Sequence, residues 1–251
     1  MVTLTDIVEY CDARTNKFET PDFTGAFNGL QLENDGNITK IGAAVDAGLS
    51  PFQLATEKNI DFLIVHHGLF WTPPVPLTDS NYAKIKHCIQ NNLAIYSSHL
   101  PLDNHPEIGN NKILADKLNL QASDTFLSYE GVDVGLIVKN KNNIKELKVS
   151  LDGLFPKGFH SLLFGSSKPD KIAILTGSGQ SAINEILSLG IDTLITGELK
   201  QHHFNLAQEK RLNLFLCGHY ATETFGVNEL GKEISIEFDL PYEFIDLECP
   251  I

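Results

Sequence analysis

The chain carries the same strand–helix–strand pattern twice, and this repeat constrains its fold more than any other feature. In the first half, IGAAVDA indicates a strand, SPFQLATEKN a helix and DFLIV a second strand. The second half repeats this order with KIAILTG, SAINEILSLG and DTLITGE. Ile41 and Ile172 begin matching strands 131 positions apart, and Asp61 and Asp192 have the same spacing. Strands that alternate with helices predict parallel βαβ units, and the common spacing predicts a duplication.

Each half continues with a further helix and a third strand. These are AKIKHCIQNN and LAIYSS in the first half, and FNLAQEK and LNLFLC in the second. A helix and an irregular NGLQLEN segment precede the first copy, while GVDVGLIV, IKELKVSLDGLF and HSLLFG predict a strand, a helix and a strand before the second. We therefore expect an α/β fold of two duplicated halves, residues 1–125 and 126–251, related by a quasi-twofold and lacking a long central insertion.

Each third strand is followed by the pattern His-x-x-x-carboxylate. The first copy is HLPLD, with His99 and Asp103, and the second is HYATE, with His219 and Glu223; the two copies lie 120 positions apart. Residues four apart share one face of a helix, so each pair can converge on one site. A single such pair is more often an ordinary surface or hydrogen-bonded pair, but its recurrence after matching strands favours a functional role.

The second strand of the first half ends at His66 and His67, where the second half has Gly197 and Glu198. Ligands of parallel sheets bind at the carboxyl ends of the strands, so these side chains are expected at one sheet edge. Imidazole favours Zn, Fe, Ni or Cu, and carboxylates extend the choice to Mn and Mg. We expect two divalent ions of the Zn, Fe or Mn type between the halves. The candidate residues are His66, His67, Glu198, His99 with Asp103, and His219 with Glu223.

A second motif favours another function. The run from Thr176 to Ala182 matches G-x-G-x-x-A after a strand, and Glu198 lies 21 residues beyond Gly177, as in dinucleotide-binding folds. The mid-chain position and the first-half copy VDAGLS, which lacks these glycines, disfavour that reading. A helix N-terminus beside two cations would instead suit a phosphate group.

The remaining histidines carry weaker signals. His202, His203 and His105 are candidates for partners of the metal ligands or for proton carriers, although surface positions are the commoner outcome for such residues. His87 and His160 are interpreted as structural.

Charge and composition exclude several classes of protein. The chain has 32 acidic and 19 basic residues and a net charge of −13, which disfavours general binding to nucleic acid. We expect no signal peptide, because MVTLTDIVEYCDA lacks a basic segment followed by an apolar one, and no membrane span, because no apolar run reaches roughly 18 residues. Four scattered cysteines without a CxxC pair favour a reduced, cytoplasmic compartment.

Several segments in a fixed order resemble a known family: NGLQLE, DFLIVHHGLFW, HLPLDNHPEIGNN, TGSGQS, ITGE and GHYATE. The sequence resembles the NGG-interacting-factor-three-like proteins, or GTP cyclohydrolase type 2 homologues, in their compact YbgI-type form. The resemblance implies a dinuclear metal site, with His99 next to the metals, and a homo-oligomer in the form of a hexameric ring. Its implied ligands are His66 and His67 of HHG, Asp103 of HLPLD, and His219 and Glu223 of GHYATE. Glu33 and the run Thr224-Phe225-Gly226 depart from the family pattern, which puts substrate fit in doubt.

Two functions follow from these expectations. In the first, the protein is a metal-dependent hydrolase of a nucleotide or another phosphate ester, including the purine-ring opening that the family label implies, and Glu198 or His99 takes a proton from water. In the second, it is a non-catalytic metal-binding oligomer that serves as a scaffold or interaction protein. Open metal positions would favour the first.

Overall fold

A computed structural model of the chain describes residues 2–70, 75–247 and 249. These residues form two compact units. The first contains the described residues up to Leu102 and returns from Gly226 to residue 247, and the second contains Asp103–Phe225 and Cys249. This division differs from the predicted halves 1–125 and 126–251, because a C-terminal helix and strand belong to the first unit; the predicted halves stay a prediction.

The two predicted strand–helix–strand runs appear in the predicted order, with further strands and helices before, between and after them. Up to residue 117 they are α1 (Leu4–Arg14), β1 (Gly29–Leu32), β2 (Ile41–Asp46), α2 (Leu49–Glu57), β3 (Phe62–His67), α3 (Asp79–Gln90), β4 (Ala94–Ser97), α4 (Leu100–Asp103) and α5 (Asn110–Lys117). They continue with β5 (Gln121–Tyr129), β6 (Val132–Lys139), α6 (Ile144–Leu154), β7 (His160–Leu163), β8 (Lys171–Ser178), α7 (Ala182–Ser188), β9 (Thr193–Glu198), α8 (His203–Lys210), β10 (Asn213–Leu216), α9 (His219–Thr222), α10 (Thr224–Phe238) and β11 (Tyr242–Phe244).

The first unit is built on a sheet of order β1-β4-β3-β2-β11. Strands β2, β3 and β4 are parallel, which confirms the predicted βαβ units, and β11 adds to β2 in the same direction. β3 is apolar from Phe62 to Val65 because both faces are covered. The expectation of an irregular NGLQLEN segment was wrong: Gly29–Leu32 forms β1, which pairs antiparallel with β4.

The second unit is built on a sheet of order β5-β6-β8-β9-β10-β7. Strands β8, β9 and β10 are parallel, while β6 and β7 flank them antiparallel. The order β7-β10-β9-β8 thus repeats the order β1-β4-β3-β2 of the first unit, with an antiparallel strand at the corresponding edge. The chain is therefore an α/β protein with two mixed sheets.

Strand β5 could not be found from hydrophobic alternation. Five consecutive residues, Gln121–Thr125, are exposed, so no apolar stripe marks the strand in the sequence. It forms because β6, which was predicted, pairs with it over nearly its whole length. Among the described helices, none is both long and apolar enough to cross a membrane.

Helix α6 offers a matched test of the second unit's core. Leu151 is fully buried against Ile172, Ile195 and Phe215, whereas Val149 on the same helix is 71% exposed. Leu151→Ala should lower the free energy of unfolding by about 2–5 kcal/mol, because it leaves a cavity. Val149→Ala should change it by less than about 0.5 kcal/mol. Urea unfolding followed by circular dichroism measures both, and equal effects would contradict the assigned burial.

Candidate metal centre

His66 and His67 end strand β3 with their rings fixed by different partners. His66 is fully buried, and its Nδ1–H donates to the carbonyl oxygen of Ser98 at 3.0 Å. His67 donates from Nδ1 to Oδ1 of Asp46, the last residue of β2, at 2.8 Å. A ring that donates from Nδ1 in its neutral form carries its lone pair on Nε2, the atom with which it can bind a metal.

His99 completes a group of three imidazoles in the first unit. Its ring centroid lies 4.9 Å from that of His66 and 5.7 Å from that of His67. Each of these three residues offers a ring nitrogen, and the three nitrogens lie within 4.8 Å of one another. Nδ1–H of His99 donates to Oδ1 of Asp22 at 2.8 Å, so here too Nε2 carries the lone pair in the neutral form.

Asp22 stays ionised although its side chain is buried. Burial by itself would raise the pKa of this carboxyl group, but hydrogen bonds from His99, Asn28 and the backbone N–H of Leu100 outweigh burial and lower the pKa. A buried carboxylate that accepts an imidazole N–H fixes the orientation of the ring and increases its basicity.

The NGLQLE segment holds the surroundings of this cluster together. Oδ1 of Asn28 accepts the backbone N–H of His99 at 2.8 Å. Gln31 donates from Nε2 to the carbonyl of Phe27 at 2.6 Å and accepts the backbone N–H of Leu69 at 2.5 Å. Asn28 therefore connects the loop before β1 to His99 after β4. Gln31 connects the same loop to the segment after β3.

The second unit brings His219, Glu223 and Glu198 together. Nε2 of His219 lies 3.2 Å from Oε1 of Glu223, and Nδ1–H donates to Oε1 of Glu198 at 3.0 Å. The contact across His-x-x-x-Glu was expected from the helical spacing. Hydrogen bonding to Glu223 is the largest cause that raises the pKa of His219 to about 9; burial opposes it, and Glu198 adds to it.

Asp103 lies beside Glu223 in the same unit. Both side chains are buried, and their carboxylate oxygens lie within 4.8 Å of each other. Asn110 donates from Nδ2 to Oδ1 of Asp103 at 2.9 Å, and Asn111 donates to its carbonyl oxygen at 3.0 Å. Two buried carboxylates at this separation repel each other, so a cation bound between them is stabilised.

The glycines of TGSGQS are explained by close packing in the second unit. A Cβ atom on Gly177 would collide with Oε1 of Glu223, and one on Gly179 would collide with the side chain of Thr196. Gly177 also has φ +66°, which favours glycine. Glu198 is hydrogen-bonded to His219. The glycines and the acidic residue that favoured dinucleotide binding are therefore explained by close packing and by the contact with His219.

The other histidines divide into buried and exposed ones. The surface expectation was wrong for His105 and His203, which are 5% and 4% exposed, and right for His202. Nδ1 of His105 accepts the backbone N–H groups of Glu107 and Ile108, which closes a turn. His87 contacts the hydroxyl of Thr56, in keeping with a structural role, whereas His160 is exposed at the start of β7.

The fold and these side chains define an α/β protein with two mixed sheets and buried His, Asp and Glu residues that are compatible with metal binding. The family model of Duf34/NIF3 (NGG1p interacting factor 3) matches residues 2–249. The chain therefore belongs to this family, as the sequence motifs indicated.

Relatives and solved structures agree with this assignment. A GTP cyclohydrolase 1 type 2 homologue of Borreliella burgdorferi is 38% identical over 233 residues, which are 92% of this chain and 91% of the relative. The crystal structure of TTHA1606 from Thermus thermophilus has a TM-score of 0.88 at 33% identity and covers 99% of this chain and 100% of its own. Protein ybgI, of unknown function, has a TM-score of 0.91 at 28% identity with the same coverage.

Asp22 gives a pH-dependent test of the first-unit cluster. Its pKa is lower in the folded protein than the ordinary value of 3.8, so the ionised carboxylate stabilises the fold above that value. The stabilisation is lost as the pH falls through the folded-state pKa. Asp22→Asn should lower the free energy of unfolding at pH 7 by about 1–3 kcal/mol, and the deficit should shrink between pH 5 and pH 3.

The measurement is urea unfolding in buffers that contain a chelator, so that metal binding does not contribute. Asp152→Asn on the exposed face of α6 is the control and should show little deficit at either pH. A deficit of Asp22→Asn that stays constant from pH 7 to pH 3 would contradict the role assigned to the charge.

Proposed function

We propose that this protein is a metal-dependent hydrolase of a nucleotide or another phosphate-bearing small molecule, and that it uses two divalent ions. The proposed metal ligands are His66, His67, Asp103, His219 and Glu223, and the residues proposed to transfer protons are His99 and Glu198. The observation that carries the proposal is the close pair of buried carboxylates, Asp103 and Glu223, with His219 in contact with one of them.

The orientation of the imidazoles supports metal binding. His66, His67 and His219 each have Nδ1 hydrogen-bonded to an oxygen acceptor, so in their neutral forms Nε2 bears the lone pair. Histidine ligands of metal sites are held in this way by carboxylates or carbonyl groups, which fix the tautomer and the ring direction. The mixture of imidazole and carboxylate favours Zn, Fe or Mn over Mg.

The carboxylates provide a second, independent support. Asp103 is 8% exposed and Glu223 is 3% exposed, and two buried carboxylates close together favour a cation; the protonated His219 supplies one positive charge beside Glu223 when no metal is bound. At neutral pH, the proton that His219 holds near Glu223 must leave before Nε2 can bind a metal. Metal uptake is therefore expected to release a proton.

The chain's own groups can move protons near such ions. When bound, divalent ions act as Lewis acids and lower the pKa of water at their open positions. His99 is polarised by Asp22 through Nδ1, so its Nε2 is the atom proposed to accept a proton. Glu198 holds His219 with Oε1, and its side chain is 53% exposed, so its other oxygen can accept a proton from solvent or substrate.

The shared strand order supports a further proposal, that the two units derive from a duplication. Strands β1, β4, β3 and β2 correspond to β7, β10, β9 and β8. In each unit the middle parallel strand ends at a candidate residue, β3 at His67 and β9 at Glu198, and a histidine follows the strand beside it, His99 after β4 and His219 after β10. The name of the bacterial relatives, GTP cyclohydrolase 1 type 2 homologue, supports a nucleotide as the substrate class without establishing the reaction.

Metal content tests the proposed ligands directly. Protein purified without chelator should contain about two divalent ions per chain by elemental analysis, and the double variant His67→Ala, Asp103→Ala should contain clearly fewer. His202→Ala, which removes an exposed histidine outside the proposed set, is the control and should retain the metal. If the wild type contains no stoichiometric metal, even after reconstitution, the proposed metal site is contradicted. A role as a non-catalytic scaffold or interaction protein would then be favoured.

Turnover tests the hydrolase proposal separately. Nucleoside triphosphates and p-nitrophenyl phosphate are incubated with protein reconstituted with Zn, Fe or Mn. Asp103→Ala should reduce any turnover by at least roughly a hundredfold, because ligand loss displaces an ion, while circular dichroism stays that of the wild type. If a folded Asp103→Ala variant keeps wild-type turnover, Asp103 has no place in the reaction.

A further inference from the structure

A cavity of about 410 Å³ adjoins His219 and lies wholly within the second unit. This volume falls in the range of small-molecule sites, which is roughly 300–1,000 Å³. Its polar lining residues are Lys157, His160, Glu198 and His219. Phe159 and Leu216 supply an apolar wall, and the remaining lining residues are glycines.

The topology explains why Lys157 and His160 reach this place. Strand β7 is antiparallel to β10, and its first residue, His160, pairs with Leu216, the last residue of β10. The start of β7 therefore lies at the edge where the parallel strands β9 and β10 have their carboxyl ends. Ligands of α/β sheets bind at this edge, so the residues before β7 are placed beside the candidate ligands rather than behind the sheet.

A tight turn fixes the approach of Lys157. The carbonyl oxygen of Phe155 accepts the backbone N–H of Gly158 at 2.9 Å, with Pro156 and Lys157 as the central residues. Pro156 restricts the first central position, and Gly158 has φ +97°, a conformation that glycine adopts without strain. The ring of Phe159 packs on Phe215 of β10, with 6.0 Å between centroids. The turn is thus anchored at both ends.

At the corresponding place in the first unit, the loop before the antiparallel strand binds a histidine. There the loop before the antiparallel strand β1 supplies Asp22 and Asn28, which bind the ring and the backbone of His99. In the second unit the Nδ1 partner of His219 is Glu198 of β9 instead. The loop before β7 and the first residue of β7 line the cavity instead, through Lys157, Gly158, Phe159 and His160.

The cavity contains a lysine although the chain as a whole is acidic. The whole sequence has 32 acidic residues against 19 basic ones, yet Glu198 is the one carboxylate among the described residues that line the cavity. The ammonium group of Lys157 offers an anion a charged hydrogen-bond donor there, and His160 offers a ring nitrogen.

We propose that this cavity binds the phosphoryl group of the substrate, with Lys157 and His160 as anion-binding residues beside the candidate ligands. The proposal rests on the proposed hydrolase function, since it names the place where the phosphate of that substrate is held. Phe159 and Leu216 then contact the apolar part of the same molecule, and specificity for phosphate-bearing compounds comes from the turn before β7.

Binding of inorganic phosphate and pyrophosphate tests the subsite without turnover. Isothermal titration calorimetry is performed on the full chain, once after chelator treatment and once after metal reconstitution. Lys157→Ala should weaken pyrophosphate binding by roughly tenfold in both states, the size of one charge-assisted contact. Lys157→Arg should restore most of the affinity, and His160→Ala should weaken it by a smaller factor.

Lys148→Ala is the matched control, because it removes an exposed lysine from α6 outside the cavity and should leave pyrophosphate affinity unchanged. Circular dichroism confirms that each variant is folded. If Lys157→Ala binds pyrophosphate as tightly as Lys148→Ala, or if the wild type binds neither anion at millimolar concentration, the proposal is wrong.

A kinetic measurement distinguishes the proposed phosphate subsite from the proposed hydrolase function on which it rests. With any phosphate ester that the metal-loaded protein hydrolyses, Lys157→Ala should raise KM severalfold and change kcat little, because the residue binds the phosphate in ground and transition states alike. Loss of pyrophosphate binding in Lys157→Ala together with no turnover in the wild type would support the subsite and refute the hydrolase.

Discussion

The candidate centre depends on one kind of interaction, the hydrogen bond from Nδ1 of each histidine to an oxygen held by the backbone fold of its own unit. His66, His67 and His99 use a carbonyl and two carboxylates, and His219 uses Glu198. Without these acceptors the rings could rotate or change tautomer, and their Nε2 atoms would no longer be directed consistently. Because the acceptors lie at strand ends or in loops tied to strand ends, the sheets themselves determine the direction of the rings.

This dependence explains which residues could be predicted. His66, His67 and His219 follow or end strands whose apolar runs are visible in the sequence, and His219 and Glu223 have a helical spacing, so position alone identified them. Asp46 ends a predicted strand as well, and the same rule of strand ends would have found it. Asp22 could not be found in this way, because it lies in a loop without periodicity and meets His99 across 77 positions of sequence.

The fold was predictable to the same extent and for the same reason. Parallel strands buried on both faces have apolar runs that mark them, and the repeat confirmed their order, whereas β1 and β5 have mixed or exposed side chains and depend on their partners for pairing. The chain returns to the first unit with α10 and β11, and this return depends on contacts between residues far apart in sequence. No local signal in the sequence distinguishes that return from a continuation of the second unit.

A small difference between the two copies accounts for their different surroundings. His99 lies two residues beyond the end of β4 and precedes α4, whereas His219 lies three residues beyond the end of β10 and is itself the first residue of α9. The additional residue is accommodated by Gly218, whose φ of +93° few other residues adopt. His219 is hydrogen-bonded to Glu198 on the neighbouring strand. The loop before β7 lines a cavity of the second unit, whereas the loop before β1 holds His99, so the two copies of the repeat surround their histidines differently.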